Sequence, residues 1–167
     1  MILKQLVEYL DGNHVKYVNI THSPAFTAQD VAHSAHISGK EMAKAVIVWM
    51  DGKMAMAVLP ASHMIDFNLL REVSGAKDVE LASEHDFKDR FPQCEVGAMP
   101  PFGNIFDMRV FVASGLAEDK EIFFNAGNHR ELVKMDFADF ERLVQPTVFA
   151  FSFLRKSHGD VGAKLVL

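Results

Sequence analysis

The chain has 167 residues, 49% of them hydrophobic, a formal net charge of -5 and a single cysteine. That length supports one compact domain burying about two-thirds of its unfolded surface, so the fold requires neither disulfides nor a structural metal. The acidic balance excludes a protein that coats long stretches of nucleic acid, because such binding neutralises many phosphates with Lys and Arg.

Charges at Lys4 and Glu8 come too early for a signal-peptide core, and no apolar run approaches the ~18 residues of a membrane span. With Cys94 alone and nine methionines, the expected setting is the reducing cytoplasm. Neither a membrane nor DNA is an expected partner.

Ile2, Leu3, Leu6, Val7 and Leu10 recur at helical spacing until Asp11-Gly12-Asn13 stops them. Val15 to Ile20 reads as a strand, followed by a turn at His22-Ser23-Pro24. Thr27-Ala28-Gln29-Asp30 has capping-box spacing and opens a second helix through about Ala35. Ala45 to Trp49 and Lys53 to Leu59 flank Asp51-Gly52, a hairpin signal. Both arms are nearly continuous in apolar residues, which predicts central strands covered on both faces by helices.

Helical periodicity runs from Asp66 through Val73 and ends at Gly75, and Ser83-Glu84-His85-Asp86 caps a short helix holding Phe87 and Phe91. Met108 to Val112 and Glu121 to Asn125 read as strands. Asp136 caps a last helix through Leu143, Pro146 ends it, and Thr147 to Phe153 is expected as one final strand. The predicted fold is α/β (α+β), a single domain over residues 1–153 with a mixed, largely antiparallel central sheet flanked by helices. A polar tail is expected over residues 154–167.

Familiar catalytic signatures are missing: no phosphate-cradling Gly-rich loop with Lys-Ser/Thr, no Gly-x-Gly-x-x-Gly, no His-Glu-x-x-His and no Gly-x-Ser-x-Gly. His33 and His36 lie one helical turn apart but lack further ligands in sequence, and they read as polar helix positions. Glu95 beside Cys94 opposes a thiolate, so the cysteine reads as structural. His22 and His129 are each either ligand-facing or ordinary loop residues, His129 alternatively opening a helix beside Arg130.

Two features stand apart. Gly97-Ala98-Met99-Pro100-Pro101-Phe102-Gly103 combines prolines that fix φ with glycines that permit unusual dihedrals, a turn suited to presenting backbone amides. Lys44 precedes an apolar strand, where an ammonium either reaches solvent or meets a carbonyl or anionic oxygen in a pocket. Together they supply a cation and backbone donors able to polarise an ester.

Lys44 entering a Val/Ile strand, the Asp51-Gly52 hairpin ending at Leu59-Pro60, Gly97-x-x-x-Pro101 with Phe102-Gly103, and Phe124-Asn125-Ala126-Gly127 with His129 resemble, in that order, the YbaK-type domain. That family includes the editing insertion of bacterial prolyl-tRNA synthetase and free-standing relatives of the ProXp kind. The resemblance implies a hydrolase of the carboxylic ester in a mischarged tRNA, acting in trans on a small amino acid such as Ala, Ser or Cys. It implies no metal or other cofactor, since a ribose hydroxyl of the tRNA helps activate water in the family. Lys44 and Gly97 would be catalytic. Phe26, Thr27, Ala98, Met99, Pro100, Pro101, Phe102, Asn125, Gly127 and His129 would contact the substrate. The partners implied are the acceptor end of a tRNA and, for delivery, an aminoacyl-tRNA synthetase. A noncatalytic tRNA- or synthetase-binding module of the same fold is the alternative, and a hydrolase of small aminoacyl esters a third.

Overall fold

The computed structural model describes residues 1–25 and 27–155. Local signals set most of the elements. Helix α1 spans Lys4–Gly12, strand β1 Tyr17–Thr21 and helix α2 Ala28–Ser34. The Thr27 hydroxyl accepts from the Asp30 amide at 3.0 Å, while the returning carboxylate bond of a full capping box is absent among the described residues. Strands β2 (Met42–Met50) and β3 (Lys53–Pro60) meet at Asp51 and Gly52, with φ of 50° and 82°. Two positive φ values in succession match a turn whose twist suits the strands.

Beyond β3 lie β4 (His63–Ile65), α3 (Phe67–Ser74), β5 (Val79–Leu81) and α4 (Glu84–Phe87). Asp66 caps α3 by accepting from Asn68 and Leu69, and Gly75 ends it in the left-handed region at φ 75°. Ser83 and Asp86 form the reciprocal capping box of α4. Phe91 lies past that helix, beyond a 3-10 turn over Lys88–Arg90, and packs on Phe106 with ring centroids 4.5 Å apart. The remaining elements are β6 (Arg109–Ala113), α5 (Ser114–Ala117), β7 (Glu121–Asn125), β8 (Glu131–Asp136), α6 (Phe137–Val144), β9 (Thr147–Phe149) and β10 (Ser152–Leu154).

The main sheet runs β1-β8-β7-β2-β3-β6-β9, with β5 also on β2. Its pairings are antiparallel except β2 with β7, β3 with β6 and β6 with β9. One face buries Leu6 and Leu10 of α1, Phe140 of α6, and Phe102. The other buries Leu70 of α3 with Phe111 and Phe151, and Val31 of α2 with Met42 and Leu132. The chain is therefore a mixed α/β domain whose central sheet is flanked by helices, as the apolar hairpin arms require.

Two expectations are corrected. Thr147 to Phe153 is not one strand. It breaks at Ala150-Phe151, where Phe151 turns fully into the core and its carbonyl accepts from the Asp66 amide at 2.7 Å, so β9 extends the main sheet while β10 pairs with β4. His129 opens no helix: Asn128 Oδ1 accepts from the Arg130 and Glu131 amides and turns the chain into β8. Leu154 belongs to β10, paired with His63, and residues 156–167 lie outside the described residues.

One edge of β2 is shared. β7 pairs with it only at Met42 and Ala43, β5 only at Val48 to Met50. Between those contacts that edge carries no strand partner among the described residues, although Ile47 accepts from the Ala82 amide at 3.0 Å.

Candidate active site

Lys44 lies at the start of this notch. It is the third residue of β2, opposite Leu59 of β3, and it is half-buried. Since Ala43 aligns with Phe124, Lys44 and Asn125 come next on the two parallel strands, on the face already occupied by Met42 and Phe123. Burial lowers the Lys44 pKa from its ordinary value, and the positive charge of Arg155 lowers it further. The β4-β10 ribbon supplies that neighbour. Arg155 donates its amide to the Ser62 carbonyl at 2.9 Å, and His63, whose pKa is lowered by burial and then by Lys44, shares a 2.8 Å hydrogen bond with Ser152. Neither His63 nor Arg155 carries a local signal, because only the pairing of segments nearly ninety residues apart brings them to Lys44.

The Gly97 turn is held against the loop between β7 and β8. Glu95 donates its amide to the Gly127 carbonyl at 2.8 Å, and Gly127 donates to Ala98 at 2.9 Å. His129, 7% exposed, has its Nε2 2.9 Å from the Val96 carbonyl, and since a carbonyl only accepts, that nitrogen carries the proton. Gly97 itself has φ 85°, and a Cβ there would lie 3.6 Å from the His129 ring.

Within the turn only Gly97 faces solvent, continuing the exposed Glu95 and Val96; Ala98 through Gly103 are buried. Phe102 is fully enclosed, its ring against Tyr9, Phe124 and Phe140, and it holds the turn from beneath. Met99, Pro100 and Pro101 are buried beside it. Gly127, at φ 103°, lies against Leu3, whose Cβ would be 2.9 Å from any added Cβ. The prolines and Phe102 thus pack the turn into the core, and the presented surface is its tip.

Asn125 is 5% exposed, and its Oδ1 has no hydrogen-bond partner among the described residues. A buried amide oxygen left unpaired costs about 1–3 kcal/mol. His22 Nε2 is similarly buried and unpartnered, while its Nδ1 lies 2.7 Å from the Ser23 carbonyl and its amide donates to Arg130. Thr27 is exposed at the start of α2, and Phe26 lies outside the described residues. His33 is in α2, whereas His36 follows its end with φ 57°, so the two do not share a helix. A cavity of about 750 Å³ opens elsewhere, at the Asp51-Gly52 end of the hairpin. The unpaired polar atoms and the shifted lysine weigh more than volume in locating the chemistry.

A family model described as the aminoacyl-tRNA editing domain matches residues 22–143, a span holding Lys44, Gly97, Asn125 and His129. The chain belongs to the aminoacyl-tRNA editing domain family. The multifunctional Ser/Thr-tRNA deacylase ProXp-y of Escherichia coli (strain K12) is 27% identical over 154 residues, covering 89% of this chain and 91% of that protein. The proline–tRNA ligase of Bacillus mycoides (strain KBAB4) is 24% identical over 127 residues, 70% of this chain. The chain spans 22% of the length of that ligase. Among solved structures, the hypothetical protein APE2540 superposes with a TM-score of 0.80 at 19% identity, covering 90% of this chain and 100% of that one. A candidate trans-editing enzyme for prolyl tRNA synthetase superposes at 0.75 with 15% identity, covering 90% and 96%. No helix among the described residues is long and apolar enough to cross a membrane.

Proposed function

We propose that this editing domain is a deacylase that hydrolyses, in trans, the ester joining a wrong small amino acid to the terminal adenosine of a tRNA. The reading is supported above all by a half-buried ammonium, Lys44, and a buried, unpaired acceptor, Asn125 Oδ1, each of which directly follows the last paired residue of neighbouring strands where β7 leaves the edge of β2. A substrate hydroxyl or ammonium satisfies the amide oxygen, and an ester or phosphate oxygen satisfies the lysine.

In this reading Lys44 draws electron density from the ester carbonyl, and the amide at the tip of the Gly97 turn supplies a second donor to the oxygen that becomes negative. His129 positions that tip through Val96. Water adds to the carbonyl carbon, the bond to the ribose oxygen breaks, and that oxygen leaves as a hydroxyl with a proton from the water. The amino acid departs as a carboxylate and the second proton passes to solvent. Activation of the water by the neighbouring ribose hydroxyl follows from the resemblance described above. The Ser/Thr activity named for the Escherichia coli relative, which matches nearly end to end, puts seryl- and threonyl-tRNA beside alanyl- and cysteinyl-tRNA as substrates to try first. A synthetase that hands over the tRNA, in the cytoplasm, completes the proposal.

Incubation of the protein with a panel of mischarged tRNAs, beside Lys44→Ala, tests it. The expected result is hydrolysis of at least one small aminoacyl-tRNA and a loss of about 10²-fold in Lys44→Ala. Equal hydrolysis by both proteins removes Lys44 from the site, and RNA binding without turnover across the panel identifies a noncatalytic module.

A further inference from the structure

The 750 Å³ cavity at the far end of the β2-β3 hairpin takes no part in the proposed chemistry, yet its lining is chemically distinctive. Lys53, Arg90 and Arg109 border it, and none of the three is in a salt bridge among the described residues. Two carboxylates also border it. Asp51 accepts from the Lys77 and Asp78 amides at 2.9 to 3.2 Å, which hold it ionised, and Asp107 lies in a left-handed turn, so three cations outnumber two carboxylates.

Flat surfaces accompany the charge. The Arg109 guanidinium lies over the Phe111 ring, 4.9 Å from its centre, so its planar face is held in place. Trp49 forms part of the wall, its indole fixed by a 3.1 Å bond from Nε1 to Asp86. Arg90 is anchored at Met54 Sδ and the Phe106 carbonyl. Ordered cations beside planar groups suit phosphates alternating with bases, the combination that binds single-stranded nucleic acid. The volume falls in the range of about 300–1,000 Å³ typical of sites for compact ligands. Met50, also in the cavity wall, is six residues beyond Lys44 on the same strand and the same face, roughly 20 Å at 3.3–3.4 Å per residue. An RNA whose 3′ end reached Lys44 would have its preceding nucleotides within reach of the cavity.

We infer that this cavity is a second RNA site, taking one or two nucleotides that precede the 3′ terminus of the bound tRNA. The inference deepens the editing reading and rests on it for the direction of the RNA. It also accounts for how an acidic protein grips a polyanion: the contact is confined to one cationic recess.

Trp49 is the only tryptophan in the chain, so its fluorescence reports on the cavity directly. The probe is a short single-stranded RNA ending in CCA and carrying no aminoacyl group, titrated into the full chain at several salt concentrations, with adenosine monophosphate as a separate probe. The RNA is expected to quench Trp49. Lys53→Gln with Arg109→Gln is expected to weaken binding about tenfold or more and to reduce the salt slope by about 0.7 for each phosphate that is no longer neutralised. Arg109→Lys, which keeps charge but not the planar face, is expected to retain the salt slope and lose part of the quenching. Thermal melts of each variant check that the fold is kept.

On mischarged tRNA, the double variant should raise KM with kcat unchanged, whereas Lys44→Ala should lower kcat and leave the Trp49 response intact. RNA that does not bind, or binds the double variant with the same affinity and salt slope, overturns the inference. Saturable quenching by adenosine monophosphate without any by the RNA also overturns it, in favour of a free nucleotide. RNA binding that responds to the variants without hydrolysis of any tRNA leaves the cavity site standing and overturns the editing reading alone.

Discussion

The His129 ring donates from Nε2 to the carbonyl of Val96 at 2.9 Å, fastening the start of β8 to the residue that precedes Gly97. The backbone amide of His129 also donates to Glu95 Oε2 at 3.3 Å, so one residue ties down both residues that lead into the turn. His129→Ala is expected to cost about 1 kcal/mol or more, the net worth of the lost hydrogen bond together with the packing of a buried ring. It should also lower kcat for deacylation about tenfold or more by freeing the tip. Chemical denaturation and single-turnover kinetics measure the two effects; full activity in a folded variant removes His129 from the positioning role.

Gly97 and Gly127 both have positive φ, but their surroundings differ. A Cβ at Gly97 meets only the edge of His129 at 3.6 Å, an ordinary contact, so Gly97→Ala should cost about 1–2 kcal/mol from backbone strain. At Gly127 the same strain is joined by a 2.9 Å clash with Leu3, whose amide is bonded to Ala126 at 2.9 Å. Gly127→Ala should therefore be the more destabilising of the two, and urea midpoints in the reverse order would refute this account of the loop.

Lys44 has a stability cost with a definite sign. Its pKa is lowered in the fold, first by burial and then by Arg155, so between the folded and unfolded values the unfolded chain binds more protons. The burden of ionised Lys44 is full below the folded pKa and is relieved as pH rises through it. Lys44→Met should then be at least as stable as the wild type near neutrality while losing deacylation about 10²-fold. Deacylation by the wild type should fall in the alkaline range as the ammonium deprotonates, and any residual activity of Lys44→Arg should lack that limb. A wild-type rate unchanged across the alkaline range would count against a charged lysine in the transition state.

Cys94 is held as a thiol. Burial pushes its pKa up to about 11, so at pH 8 almost none is thiolate. Alkylation of the native protein should be much slower than that of the unfolded chain, and Cys94→Ala should keep deacylation within about twofold. Rapid native alkylation, or loss of turnover in Cys94→Ala, would contradict the structural role.

The sequence was most legible where one short segment contains its own instructions. The Asp51-Gly52 turn, the Asp66 to Gly75 helix and the Ser83-Asp86 box each name their start and stop within a few residues. Strand β8 was missed because its apolar positions gain meaning only between β1, over a hundred residues earlier, and β7. The same limit hid His63 and Arg155. For the site, the residue types and order at Lys44, Gly97, Asn125 and His129 carried the family, whereas the inward packing of Phe102 was not visible: a Gly/Pro-rich stretch advertises a turn without saying which part of it is presented.

The interrupted edge of β2 has a consequence for how this protein can diverge. Where two neighbours share a strand and leave an interval between them, side chains bordering that interval are released from ladder pairing, so their size and polarity can change without dismantling the scaffold. Selectivity among acyl groups can thus drift faster than architecture, and kin with similar cores are expected to clear different amino acids.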